Sequence, residues 1–220
     1  MAKVAVILSG CGYLDGSEVQ EAVLTLYFLD RAGVEVSCFA PDRDQMHVVD
    51  HRSGEATTER RNALVESARI TRGEIKSLAM ASMKDLDALV IPGGYGAAKN
   101  LSNLATRGVD ARVDSDLQRL ITEATEQGKP IVAICIAPAV LTAALAKRGE
   151  RATVTVGNDL EISKAIESFG STHRDCPVTQ IVVDDRRRII STPAYMLGSG
   201  PKGVGAGIEA AVSALMAWIS

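Results

Sequence analysis

Four short strand-like segments constrain this chain more than any other feature: residues 4–8, 34–39, 86–91 and 131–134. Most are apolar throughout, and each is too brief to be a helix. They are punctuated by Ser9-Gly10-Cys11-Gly12, Pro41, Pro92-Gly93-Gly94 and a turn at Cys135. A strand apolar on both faces must be covered on both faces, so helices have to lie above and below the sheet. The spacing supplies them. Apolar residues recur every three or four positions over residues 17–31, with Val19, Ala22, Val23, Leu26 and Leu29 as the expected core stripe. Further helices are predicted over residues 62–69, 113–126, 137–147 and 160–169. Pro138 is tolerated in a first turn. The last helix, residues 204–218, turns Ile208, Ala211, Val212, Leu215 and Ile219 inward. Short strands are expected at Val48-Val49 and over residues 154–156, and residues 181–190 read as a hairpin. The fold class is therefore α/β with a mostly parallel sheet, and residues 1–220 read as a single domain without repeats or linkers.

Composition narrows the function. The net charge is −3 and aromatics are 4% of the chain, so neither a basic face nor stacking platforms point to nucleic acid. No apolar run approaches the roughly 20 residues of a membrane span, and the N-terminal run is too short for a signal peptide. Cys11, Cys38, Cys135 and Cys176 form no CxxC pair and no zinc-spaced cluster with histidine. They read as reduced thiols, which leads to the expectation of a cytoplasmic protein with no metal and no cofactor.

In parallel sheets, ligands bind beyond the carboxyl ends of the strands. Cys135 directly follows residues 131–134 and directly precedes a helix. A residue in such a turn is forced into a strained conformation, the nucleophile elbow. The new helix aims its free N–H groups at the side chain, which favours thiolate. The competing reading is a buried structural cysteine. The Gly93-Gly94 pair lets backbone amides approach closely. One of them, with the amide of Ile136, could form an oxyanion hole. His47, His51 and His173 read as loop or packing residues. Glu21, about one turn into the first helix, is the better proton partner: enclosed near a thiolate, its pKa would rise.

Five motifs together closely resemble one family. They are Ser9-Gly10-Cys11-Gly12, Asp15-Gly16-Ser17-Glu18, the run from Pro92 through Gly94 and Lys99 to Leu101, Cys135-Ile136-Ala137-Pro138-Ala139, and Thr192-Pro193-Ala194-Tyr195-Met196. The family is the ElbB-like isoprenoid biosynthesis proteins with an amidotransferase-like domain, in the PfpI and class I glutamine amidotransferase-like superfamily. The resemblance covers essentially the whole chain. It implies a flavodoxin-like three-layer sandwich, Cys135 at the elbow, Glu21 rather than Glu18 as its acidic partner, and Gly94 with Ile136 as the oxyanion hole. It also implies a homodimer and a cofactor-free glyoxalase that turns 2-oxoaldehydes such as methylglyoxal into 2-hydroxy acids. Residues 153–158 lack the histidine many superfamily members carry, and the chain has no late His-Pro-Glu run. Both departures argue against glutaminase chemistry.

Two other functions fit parts of the pattern. A redox-sensing or interaction protein would use an oxidisable Cys135. A dinucleotide-binding oxidoreductase would use Gly10-Cys11-Gly12, although Gly16 falls one position late for G-x-G-x-x-G.

Overall fold

The computed structural model describes residues 1–198 and 200–219. Nine strands are present among these: β1 Lys3–Ile7, β2 Glu35–Ala40, β3 Lys76–Ser77, β4 Ala88–Ile91, β5 Ile131–Ile134, β6 Thr153–Val154, β7 Thr172–His173, β8 Val182–Asp184 and β9 Ile189–Thr192. The helices are α1 Val19–Arg31, α2 Ala63–Ser67, α3 Tyr95–Lys99, α4 Leu104–Arg107, α5 Ser115–Glu126, α6 Ala137–Ala146, α7 Leu160–Ser168 and α8 Pro201–Ile219.

Seven strands form one sheet in the order β3-β2-β1-β4-β5-β9-β8. All neighbours are parallel except β8, which runs antiparallel to β9 as the expected hairpin. Helix α1 packs with α8, and α5 with α6, giving the flavodoxin-like α/β sandwich. The strands β1, β4 and β5 are nearly continuous apolar runs because they are buried on both sides. The chain leaves β1 towards β2, then returns to place β4 on the other side. That reversal opens a crevice at the carboxyl ends of β1 and β4, the usual ligand position in such sheets.

The structure corrects several expectations. On α1, Val19 is 37% and Val23 48% exposed, while Glu21, Ala22, Thr25, Phe28 and Leu29 are buried. The helix is turned by about one residue from its apolar stripe, and the polar Glu21 and Thr25 face inward. Val48-Val49 forms no strand; Val49 makes only an isolated bridge to Ala56. The strand expected at residues 154–156 is shorter, and it pairs with β7 in a separate two-stranded sheet. Helix α8, 19 residues long, has a mean hydropathy of 1.2 over an 18-residue window, enough by length and composition alone to cross a membrane. Its buried face, including Val204, Ile208, Ala211 and Leu215, instead packs on α1 and β9 as a core helix.

Candidate active site

Three loops meet at the crevice. The first joins β1 to α1, the second follows β4, and the third is the turn from β5 into α6. Backbone hydrogen bonds zip the first two together: Glu18 N–H to Gly93 O at 2.9 Å, Tyr95 N–H to Tyr13 O at 2.7 Å and Gly96 N–H to Gly16 O at 2.8 Å. Asn100 pins the same junction. Its amide donates to Ser9 O and Asp15 O, both at 2.8 Å, and its carbonyl accepts from Met46 N–H at 2.9 Å.

Cys135 has φ +63°, the left-handed conformation that an L-residue adopts only where the surroundings compel it. Its N–H still donates to Thr192 O at 3.0 Å, so the β5–β9 pairing holds the elbow from behind. The backbone N–H groups of Gly94 and Ile136 act on its sulfur and favour its thiolate form. Gly94 has φ +97°, and a Cβ there would sit 2.3 Å from Glu18 N, so only glycine lets these backbones touch.

Glu21 is fully buried beside Cys135. Its Oε2 accepts from Gly93 N–H and its Oε1 from Tyr195 N–H, each at 3.0 Å. Tyr195 is delivered by a second strained residue, Ala194 at φ +44°. Gly93 is the gap through which carboxyl and sulfur meet. A Cβ there would lie 2.3 Å from Cys135 Cβ, 2.5 Å from Glu21 Oε2 and 2.9 Å from Cys135 Sγ.

Burial pushes Glu21 up to about 8 from the usual 4.5. The Tyr195 N–H pulls it down, the Glu18 carboxyl pushes it up, and the Cys135 and Gly93 donors pull it down. The Cys135 thiol is also pushed up, by burial first and by the neighbouring Glu21 second, against the two amides. This corrects the expectation that the elbow alone yields a low-pKa, exposed thiolate. Cys135 is only 7% exposed, and desolvation outweighs the helix N-terminus. The two groups titrate as a pair. Once the pair loses one proton, four amides support the remaining charge, and the last proton is shared between carboxyl and sulfur.

A cavity of about 270 Å³ opens over this pair, lined by Tyr13, Glu18, Gly94, Tyr95, Cys135, Ile136, Asp159, Tyr195 and Met196. None of the three histidines lines it. His51 accepts from Leu14 N–H and His173 from Val156 N–H. Asp159, directly after the residues 153–158 that lack a histidine, lines the cavity, but its carboxylate caps α7 through Glu161 and Ile162. The Gly10-Cys11-Gly12 loop offers no cradle for a pyrophosphate. A Cβ at Gly10 would meet Gln45 Oε1 at 2.3 Å, and one at Gly12 would meet His51 at 2.6 Å. The chain's own side chains fill that space. Sequence reasoning missed the Tyr195 and Gly93 amides as the clamp on Glu21. The Thr-Pro-Ala-Tyr run at the end of β9 was the available signal.

The DJ-1/PfpI family pattern matches residues 3–194. The chain belongs to the DJ-1/PfpI family. It is 44% identical over 205 residues to the human glutamine amidotransferase-like class 1 domain-containing protein 3, mitochondrial, covering 89% of this chain and 75% of the relative. The crystal structure of an isoprenoid biosynthesis protein with amidotransferase-like domain from Ehrlichia chaffeensis superposes with a TM-score of 0.94. That match has 42% identity and covers 100% of both chains. Glyoxalase III from Candida albicans shares the fold at a TM-score of 0.64 and 16% identity, over 100% of this chain and 98% of that one. The human relative is mitochondrial, which overturns the expectation of a cytoplasmic protein drawn from reduced cysteines. Free thiols indicate a reducing milieu without specifying which compartment supplies it. All four cysteines are indeed unpaired.

Proposed function

We propose that this DJ-1/PfpI protein is a glutathione-independent glyoxalase, converting methylglyoxal and related 2-oxoaldehydes to 2-hydroxy acids through Cys135. The observation that carries the reading is the buried Cys135–Glu21 pair, held by four backbone amides at the floor of a small cavity. A three-carbon aldehyde fits that volume.

In the one-proton state of the pair, the sulfur adds to the aldehyde carbon. The developing oxyanion lies beside the Gly94 and Ile136 amides, whose donors are already oriented and need no reorganisation. Glu21 protonates that oxygen, giving a hemithioacetal. The resulting carboxylate takes the hydrogen from the former aldehyde carbon as a proton, forming an enediolate, and returns it to the former ketone carbon. The hydroxyl proton on the first carbon's oxygen passes to the oxygen of the second, which leaves a thioester of the 2-hydroxy acid. Water then hydrolyses it, restoring the thiol and releasing lactate. The sum is methylglyoxal plus water to lactate, with no external oxidant, metal or cofactor. In this reading the protein works as a homodimer, as the family resemblance implies.

Burial weighs against a sensing role. Oxidants select accessible thiolates, whereas the Cys135 thiol is enclosed and pushed up. The test is lactate formation from methylglyoxal without glutathione, in the parent, Cys135→Ala and Glu21→Gln. The parent forms lactate and both variants lose it. Equal turnover by Cys135→Ala sinks the mechanism.

A further inference from the structure

A second cavity, of about 360 Å³, lies between the loop after β2, the end of α3 and the start of α5. It shares no lining residue with the cavity over Cys135. Three cations from three separate segments line it: Arg43, Lys99 and Arg112. The only carboxylate in the lining is Asp114, in a protein whose net charge is −3.

Asp114 is already spent. Its Oδ2 pairs with Arg43 Nη1 at 2.8 Å, and its Oδ1 caps α5 by accepting from the N–H groups of Asp116 and Leu117. Lys99 donates one of its three protons to Leu14 O at 2.8 Å and stands over the Tyr95 ring at 5.7 Å. Partial burial lowers its pKa, and the Asp15 carboxylate, which is outside the lining, raises it. Arg112 makes no ion pair or side-chain hydrogen bond among the described residues. Its backbone, however, is fixed: its N–H donates to Asn103 Oδ1 at 2.6 Å, its carbonyl accepts from Asn103 N–H at 3.0 Å, and Ser102 bridges to Val113. The lining therefore sets three cations against one carboxylate on a braced frame.

We propose that this cavity binds a dianionic phosphate group, free or as the monoester of a small metabolite. Two surplus charges match a dianion. The tetrahedral oxygens take donors from several directions, and Arg43, Lys99, Arg112 and Ser115 line the one cavity. The volume lies within the range of small-molecule pockets, about 300–1,000 Å³. A recess of about 360 Å³ suits a compact ligand better than a polyanion.

Isothermal titration of inorganic phosphate and of glycerol phosphate tests this, with chloride at matched ionic strength as the blank. The parent binds both saturably, and Cys135→Ala binds them equally well. Arg112→Glu weakens binding by at least about tenfold, since reversing a charge beside a dianion removes attraction and adds repulsion. Arg112→Gln weakens it less. Both variants retain the parent's circular dichroism, because the residue's folded contacts are through its backbone. Tighter binding of glycerol phosphate identifies an organic ester as the ligand, and equal affinity identifies free phosphate. Absence of saturable binding in the millimolar range overturns the proposal. So does an unchanged affinity in Arg112→Glu, or equal binding of chloride.

Discussion

Glu21→Gln should remove the fall in stability that this carboxyl causes between about pH 4.5 and 8, and the parent and variant curves should cross. In the parent, the carboxyl titrates at about 8 when folded and near 4.5 when unfolded. Between those values the folded state holds a proton that the unfolded chain has released. Stability is then greatest below about 4.5 and falls as pH rises towards about 8. At about 1.4 kcal/mol for each pH unit of that gap, the loss is about 3–6 kcal/mol, a large part of a typical total of about 5–15 kcal/mol. Glutamine cannot titrate, so its curve lacks this slope. It carries its own defect: Glu21 accepts from Gly93 N–H on one oxygen and Tyr195 N–H on the other. Either orientation of the amide sets an NH₂ against one of them. A buried donor left without an acceptor costs about 1–3 kcal/mol. The variant should be the less stable protein near pH 5 and the more stable one above about pH 8. Urea unfolding followed by circular dichroism across that range measures both curves. Parallel curves would refute the claim that desolvation controls this carboxyl.

Three further outcomes follow from the same geometry. Gly93→Ala places a methyl 2.3 Å from Cys135 Cβ; overpacking costs about 1–3 kcal/mol and should abolish lactate formation, and a variant with parent-like turnover would mean the pair is not held as described. Asn100→Ala removes three hydrogen bonds that pin three loops and should cost about 2–4 kcal/mol in urea unfolding; a change under about 0.5 kcal/mol would dismiss Asn100 as the brace. Lactate formation should rise with pH and level off above about 8, as the pair loses its first proton. A profile flat from pH 6 upward would show that the site is already ionised at rest.

The elements that the sequence announced are those whose burial is uniform. Strands β1, β4 and β5 need apolar residues on both faces, and a run of them cannot be mistaken for a loop. Edge pieces carried no such signal. Strand β3 is Lys76-Ser77, two residues held by pairing with Phe39 and Ala40, and neither has any periodic pattern. Helix α3 begins at Gly94 and owes its position to the loop from Tyr13 to Gly16, contacts that join residues about eighty positions apart. The left-handed Cys135 was legible because a strand and a helix leave only two residues, Cys135 and Ile136, between them. The matching strain at Ala194 was not, because β9 leads only into a single short 3-10 turn, Ala194–Met196, which carries no periodic pattern.

Helix α1 shows most directly why local pattern fell short. Its apolar residues Val19 and Val23 suggested the inner face, yet they are the exposed ones. A stripe of valines gains about 25 cal/mol for each Å² removed from water whichever way the helix is turned, so rotation by one residue is decided by something more specific. Here that is Glu21. With its carboxyl bonded to Gly93 and Tyr195, the helix has only one azimuth, and Thr25, one turn on, is carried inward with it. Thr25 Oγ1 is left buried without a partner among the described residues, which a helix oriented only for stability would avoid. The cost of a buried carboxyl and an orphaned hydroxyl is tolerated because the same rotation brings an acid against Cys135. On this helix the polar residues that interrupt the apolar stripe are the ones that mark the site.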